Sequence, residues 1–143
     1  MDYGNKISTR IPASDLSEII EAITRIEKKL QDLVALSEEE LSALPKMKSN
    51  ALDFIEDCLL YADQYPSTIP EGIHVEEIKK DYELIKSIRS ILDPLMRLKK
   101  KLDDSAQLAA SEAYLPCIAI HNAVKNAQSS RTGTKRDLVM SRN

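Results

Sequence analysis

The feature that most constrains this chain is a run of isoleucines and leucines near its N-terminus that recurs every three or four residues. The six positions are Leu16, Ile19, Ile23, Ile26, Leu30 and Leu33. Such alternating spacings place the side chains along one side of an α-helix, in the heptad pattern of helices that pack against other helices. Ile20 and Val34 widen this stripe to the breadth of a globular bundle. The pattern predicts a first helix from about Asp15 to about Leu36.

The segment before this helix is predicted to be an extended lead-in over residues 1–13. Ile7, Thr9 and Ile11 alternate with polar neighbours, and Pro12 ends the alternation. Ser14 is then predicted to be the N-cap of the first helix, because its hydroxyl can accept from a free backbone N–H of the first turn.

Two further elements are predicted before the middle of the chain. Ser37 and Glu40 have the spacing of a capping box, which predicts a short helical turn. A second helix is predicted to start after a cap at Ser49 or Asn50 and to end at Tyr65, because Pro66 disfavours helical backbone in the residue before it.

The second half of the chain carries two more predicted helices. The third begins near Val75, and the sequence Asp103-Asp104-Ser105 is predicted to separate it from a fourth. Pro94 and Pro116 lie inside otherwise continuous helical patterns, so both helices are expected to bend or break there.

The composition agrees with a fold made only of helices. The chain has 143 residues, of which 43% are hydrophobic and 4% aromatic, with three glycines and no tryptophan. So few aromatic residues disfavour a β-sandwich. We therefore expect one all-α domain over residues 1–143, an antiparallel bundle of four main helices with an additional short helix.

Charge and cysteine content indicate where the protein is located and which kinds of partner it can bind. The net charge is −3, whereas residues 129–143 form a basic tail with four basic residues against one acidic residue. A basic tail on an acidic domain is typical of a solvated terminus, and nucleic-acid binding is disfavoured. Neither a signal-peptide core nor a membrane span is evident in the sequence. Cys58 and Cys117 cannot form a disulfide framework, and both are predicted to be reduced and mostly buried in a cytoplasmic protein.

Signatures of catalysis and of metal or cofactor binding are missing from the sequence. Three glycines cannot compose a phosphate-binding loop or a dinucleotide fingerprint. A di-metal bundle needs two Glu-x-x-His motifs, and this chain has one, at Glu71 and His74 in a predicted loop. No cofactor and no metal site are expected, and the pattern leans away from an enzyme.

Five polar residues of the predicted fourth helix are the candidates for contact with a ligand or partner. Ser111 and Asn122 share a face with leucines, so they are predicted to be partly buried and to need hydrogen-bond partners. Tyr114, His121 and Lys125 lie close to that face. A hydrogen bond between helices would satisfy Ser111 and Asn122, and so would a small ligand or a second subunit.

Several short motifs resemble those of a family of small, uncharacterised bacterial helical-bundle proteins. They are Leu-Pro-Lys-Met at residues 44–47, Ser-Glu-Ala-Tyr at residues 111–114 and Asn-x-Val-Lys at residues 122–125. The resemblance extends from about Ile7 to Lys135. The resemblance implies a helical fold and a bacterial origin, and it implies no particular activity. Ala110, His121 and the Pro116-Cys117 pair depart from the family pattern.

Two functions are consistent with these features. One is a structural or protein-interaction module that self-associates, and the other is a small-ligand-binding protein or unrecognised enzyme with a site beside the fourth helix. The third helix carries an extra apolar row at Leu84, Ile91 and Leu98, which one small bundle does not obviously cover. A large exposed apolar patch usually marks an interface, so we expect a homodimer.

Overall fold

A computed structural model describes residues 3–130, and every regular element within that range is helical. The four α-helices are α1 (Ala13–Lys29), α2 (Glu38–Ser42), α3 (Ala51–Gln64) and α4 (Val75–Ser129). A short 3₁₀ turn, Pro66–Thr68, follows α3. The predicted all-α class is confirmed.

The chain divides into two compact units. One comprises Ile11–Leu95, and the other comprises Met1–Arg10 and Met96–Asn143, of which residues 3–10 and 96–130 are described. Helices α1, α2 and α3 belong to the first unit, and α4 contributes residues to both.

Helix α1 begins one residue after a proline. Pro12 occupies the N-cap position with φ −56° and ψ 149°, and its carbonyl accepts from the backbone N–H of Leu16 at 2.9 Å. The predicted N-cap at Ser14 is therefore wrong, since Ser14 lies within the first turn. The proline ring fixes φ near the helical value and removes a donor that a helix start would leave unpaired.

Helix α1 ends at Lys29, earlier than its apolar pattern predicts. The backbone N–H of Leu30 donates to the carbonyls of Ile26 and Glu27. The N–H of Leu33 then donates to the Leu30 carbonyl at 3.0 Å, which closes a tighter turn. The predicted extension to Leu36 is wrong, and the last two apolar positions of the run lie beyond the helix.

The predicted capping box of α2 is confirmed. The Glu40 N–H donates to Ser37 Oγ at 3.1 Å, and the Ser37 N–H donates to Glu40 Oε1 at 3.0 Å. The hydrogen bond that the carboxylate accepts from the Ser37 backbone, and to a smaller extent one from the Ser37 side chain, lower the pKa of Glu40 from the ordinary glutamate value.

The lowered pKa of Glu40 gives the first testable prediction. Because the pKa is lower in the folded chain, the carboxylate stabilises α2 above the ordinary glutamate pKa, and this contribution is lost as the pH falls through the folded value. Ser37→Ala should raise the pKa of Glu40 in a carbon-detected NMR titration, whereas the matched Ser42→Ala should leave it unchanged. Equal values in both variants and the wild type would contradict the reciprocal cap.

Helices α3 and α4 form an antiparallel hairpin within the first unit. Tyr82 Oη donates to Glu56 Oε2 at 3.0 Å, and Lys79 Nζ lies 3.9 Å from Asp63 Oδ1. Residue numbers rise along α4 while those of their partners fall along α3, so the two helices run in opposite directions. The hydrogen bond to Glu56 raises the pKa of Tyr82.

Half-buried positions recur along α3 and the first part of α4. They are Ala51, Leu52, Ile55, Cys58, Leu59 and Ala62 on α3, and Val75, Ile78, Lys79, Tyr82, Ile85, Ile88 and Ile91 on α4. They recur every three or four residues, as ridges of packed helices do.

The connection between α3 and α4, residues 65–74, contains a tight turn just before α4. The backbone N–H of Ile73 donates to the Pro70 carbonyl, and Gly72 has φ +89°. Gly72 is the third residue of the turn that begins at Pro70, and glycine suits this position because residues with a Cβ rarely adopt a positive φ.

The backbone at Gly72 generates the second prediction. Gly72→Ala should lower the free energy of unfolding by about 1–2 kcal/mol, because alanine is strained at this φ. Gly4→Ala is the matched control, since Gly4 has open space around it and no positive φ. Urea denaturation followed by circular dichroism measures both, and equal midpoints would contradict the strain.

Helix α4 is continuous where a boundary is predicted. The separation at Asp103-Asp104-Ser105 is wrong, because all three residues are helical. Lys99 Nζ donates to Asp103 Oδ2 and Lys100 Nζ to Asp104 Oδ2, each at 2.7 Å, and each bond raises the pKa of its lysine. The carboxylates thus pair one turn back along the helix and do not cap a new one.

The helical backbone also runs through both prolines. Residues on either side of Pro94 and Pro116 are helical without interruption, so the predicted breaks are absent. Bends at these positions remain a prediction.

No residue in the range 3–130 is fully buried. Both cysteines are free, as predicted, but Cys58 is only half-buried and Cys117 is exposed. The predicted burial of Cys117 is therefore wrong. Over this same range, no helix is long and apolar enough to cross a membrane.

Candidate functional site

All five predicted contact residues lie on α4, and all five are exposed. The predicted partial burial of Ser111 and Asn122 is wrong, because no described helix covers that part of α4. Tyr114 exposes 65% of its surface. Exposed polar groups hydrogen-bond to water, so neither Ser111 nor Asn122 needs a protein partner.

The five side chains do not converge on one point. At about 1.5 Å per residue, Ser111 and His121 are about 15 Å apart along the helix axis. At 100° per residue, Ser111 and Asn122 share one face, while Tyr114, His121 and Lys125 share another. A general base needs hydrogen-bond reach to its partner, and this spacing gives none between Ser111 and His121.

The N-terminal segment is held on α4 by a carboxylate. The backbone N–H groups of Lys6 and Ile7 both donate to Glu112, the Ile7 bond being 3.3 Å. Ile7 and Glu112 are both half-buried. Charge-assisted bonds from two successive backbone amides fix the segment at one register on the helix. We call this contact the N-terminal clasp.

A cavity of about 260 Å³ lies beside the clasp. Its lining residues are Tyr3, Gly4, Lys6, Leu108, Ser111, Glu112 and Leu115. Ser111 is thus the one predicted site residue that reaches this cavity. Glu112 was not predicted as a contact, although it lies inside the Ser-Glu-Ala-Tyr motif and the apolar alternation around Ile7 marks the segment that it holds.

The clasp gives the third prediction. Glu112→Ala removes both acceptors, so the amide protons of Lys6 and Ile7 should exchange with solvent several times faster. Hydrogen exchange followed by NMR measures each amide separately. Glu83→Ala, on the exposed surface of the same helix, is the control and should leave both rates unchanged. Unaltered exchange in Glu112→Ala would contradict the clasp.

A second cavity of about 400 Å³ lies at the start of α3. It is lined by Lys46, Met47, Lys48, Asn50, Ala51 and Phe54, so it includes the end of the Leu-Pro-Lys-Met motif. Asn50 occupies the N-cap position of α3, but its side chain makes no capping bond. The lining therefore combines two lysines with apolar side chains and contains no carboxylate or histidine.

The apolar stripe of α1 is exposed along the whole helix. The exposed fractions lie between 42 and 54% at Leu16, Ile19, Ile20, Ile23 and Ile26. We call these five residues the α1 stripe. Of the extra apolar row predicted on the third helix, Leu84 and Leu98 are exposed and Ile91 is half-buried.

Charges on α1 are segregated along its length. The acidic residues Asp15, Glu18 and Glu21 occupy its first half, and the basic residues Arg25, Lys28 and Lys29 occupy its second half, which also holds Glu27. These seven groups make no ion pair within the described part of the chain.

Neither a metal centre nor a known relative defines a site. Across residues 3–130, no group of three or more histidine, cysteine, aspartate or glutamate side chains is placed to hold a metal ion. No family model, curated protein or solved structure matches the chain.

Proposed function

We propose that this chain is a non-catalytic helical interaction module that acts by self-association, forming a homodimer through apolar helix faces. The observation that carries the proposal is the α1 stripe, which no element of the described chain covers. A further protein partner could dock on an assembly of this kind.

Hydrophobic burial supports this reading. Fully burying one leucine or isoleucine side chain stabilises a protein by about 1.5–3 kcal/mol. The α1 stripe has five such side chains, each leaving about half of its surface in water. Removing that surface from water in a dimer would supply a driving force that the single chain lacks.

In the proposed assembly, the helices complete an antiparallel bundle in the bacterial cytoplasm. The α3–α4 hairpin supports the antiparallel arrangement, and the motif resemblance and the free cysteines support the setting. Proline lacks an N–H, so the carbonyls of Ser90 and Glu112 have no partner four residues on. We therefore also propose that α4 bends at Pro94 and Pro116.

The second candidate function is small-ligand binding beside α4. The cavity next to the N-terminal clasp favours it, because Ser111 and Glu112 supply polar groups in a partly apolar lining. It is weaker than self-association, since four of the five predicted contact residues lie outside that cavity.

Light scattering with size-exclusion chromatography tests self-association. The wild type should have about twice the monomer mass of 16.1 kDa at micromolar concentration. Ile23→Asp places a charge in the α1 stripe and should weaken the dimer at least tenfold, about 1.4 kcal/mol, because a carboxylate would be desolvated in the interface.

Thr24→Asp is the matched control. This substitution introduces the same charge one residue away from Ile23, at a position outside the heptad pattern of apolar residues. It should leave the mass unchanged. Both variants should retain the α3–α4 hairpin, because α1 does not contribute to its packed face. A wild-type mass of one chain that does not change on tenfold concentration would contradict self-association.

A further inference from the structure

We propose that α1 pairs antiparallel with α1 of a second copy of this chain, about a twofold axis near residue 21. This inference rests on the proposed self-association and specifies its geometry. Helix α1 runs from residue 13 to residue 29, so its midpoint is residue 21. A twofold axis at that point makes the two helices overlap along their full length.

The α1 stripe is symmetric about the same point. The heptad positions of Leu16 and Ile26 lie five residues on either side of residue 21, and those of Ile19 and Ile23 lie two residues on either side. Antiparallel pairing therefore sets Leu16 against Ile26 of the partner subunit and Ile19 against Ile23 of the partner subunit. The twofold axis repeats each of these pairs, so Leu16, Ile19, Ile23 and Ile26 all have an apolar partner.

The residues that flank the stripe agree with this register. Ile20 meets Ile20 of the partner subunit on one side of the axis, and the small Ala22 meets Ala22 of the partner subunit on the other. An isoleucine extends the apolar contact, and an alanine allows the helices to approach closely.

Two charges at the edge of the stripe favour the antiparallel direction. In the antiparallel register, Asp15 faces Lys29 of the partner subunit, and the twofold axis repeats this pair of opposite charges. A parallel pair would keep Asp15 and Lys29 at opposite ends of the helices, so these two charges would not meet. The helix dipoles also oppose each other favourably in the antiparallel pair.

Cysteine cross-linking tests the register. Cys58→Ser and Cys117→Ser remove the native thiols, and light scattering first establishes the mass of this background. Asp15→Cys combined with Lys29→Cys should then give a covalent dimer as the major species after oxidation or treatment with a short bis-maleimide. The two sites are about 21 Å apart on one helix, so a bridge within one chain is excluded.

The single variants Asp15→Cys and Lys29→Cys are the first controls and should remain uncross-linked alone. Glu21→Cys is the second control, because residue 21 lies opposite the α1 stripe. Cross-linking of each single variant to itself would indicate a parallel pair and overturn the inference. A dimeric mass without any cross-link would also overturn it while leaving self-association intact, whereas a monomeric background would overturn both.

Discussion

An apolar helix face is stabilised by being covered, and residues 3–130 of this chain cover only part of the apolar surface that the sequence specifies. The α3–α4 hairpin half-buries one face of each of its helices, and its polar edge is fixed by the bond from Tyr82 to Glu56. Within the described part of the chain, the α1 stripe has no such cover. Exposed apolar surface favours association, and this is the physical basis of the proposed pairing with another copy of the chain.

Packing against the apolar face of α1 also stabilises its helical conformation. An isolated helix of fewer than about 12–15 residues is marginal in water, and one of 17 residues is little better unless it packs. The basic residues Lys28 and Lys29 in the last turn complement the helix dipole, but their contribution is small. We therefore expect folding of α1 and association of the chain to be coupled, so that protein concentration controls both.

Local patterns predicted the helical class, the capping box at Ser37 and the start of α4 near Val75, because each depends on neighbouring residues alone. The continuity of α4 was missed because an aspartate serves equally well as an N-cap or as the partner of a lysine one turn earlier, and Lys99 and Lys100 decide between these uses. Burial of Ser111 and Asn122 depends on what packs above them, which periodicity does not report. The clasp at Glu112 joins segments about a hundred residues apart, so no local pattern could specify it.

Hydrogen exchange of the α1 amides as a function of protein concentration tests the coupling most directly. Protection across α1 should fall on dilution, in step with the loss of dimer, whereas protection of α3 should be unchanged because α3 contacts α4 within one chain. Protection of α1 that is the same at all concentrations would show that α1 is stabilised within its own chain, and would contradict the account.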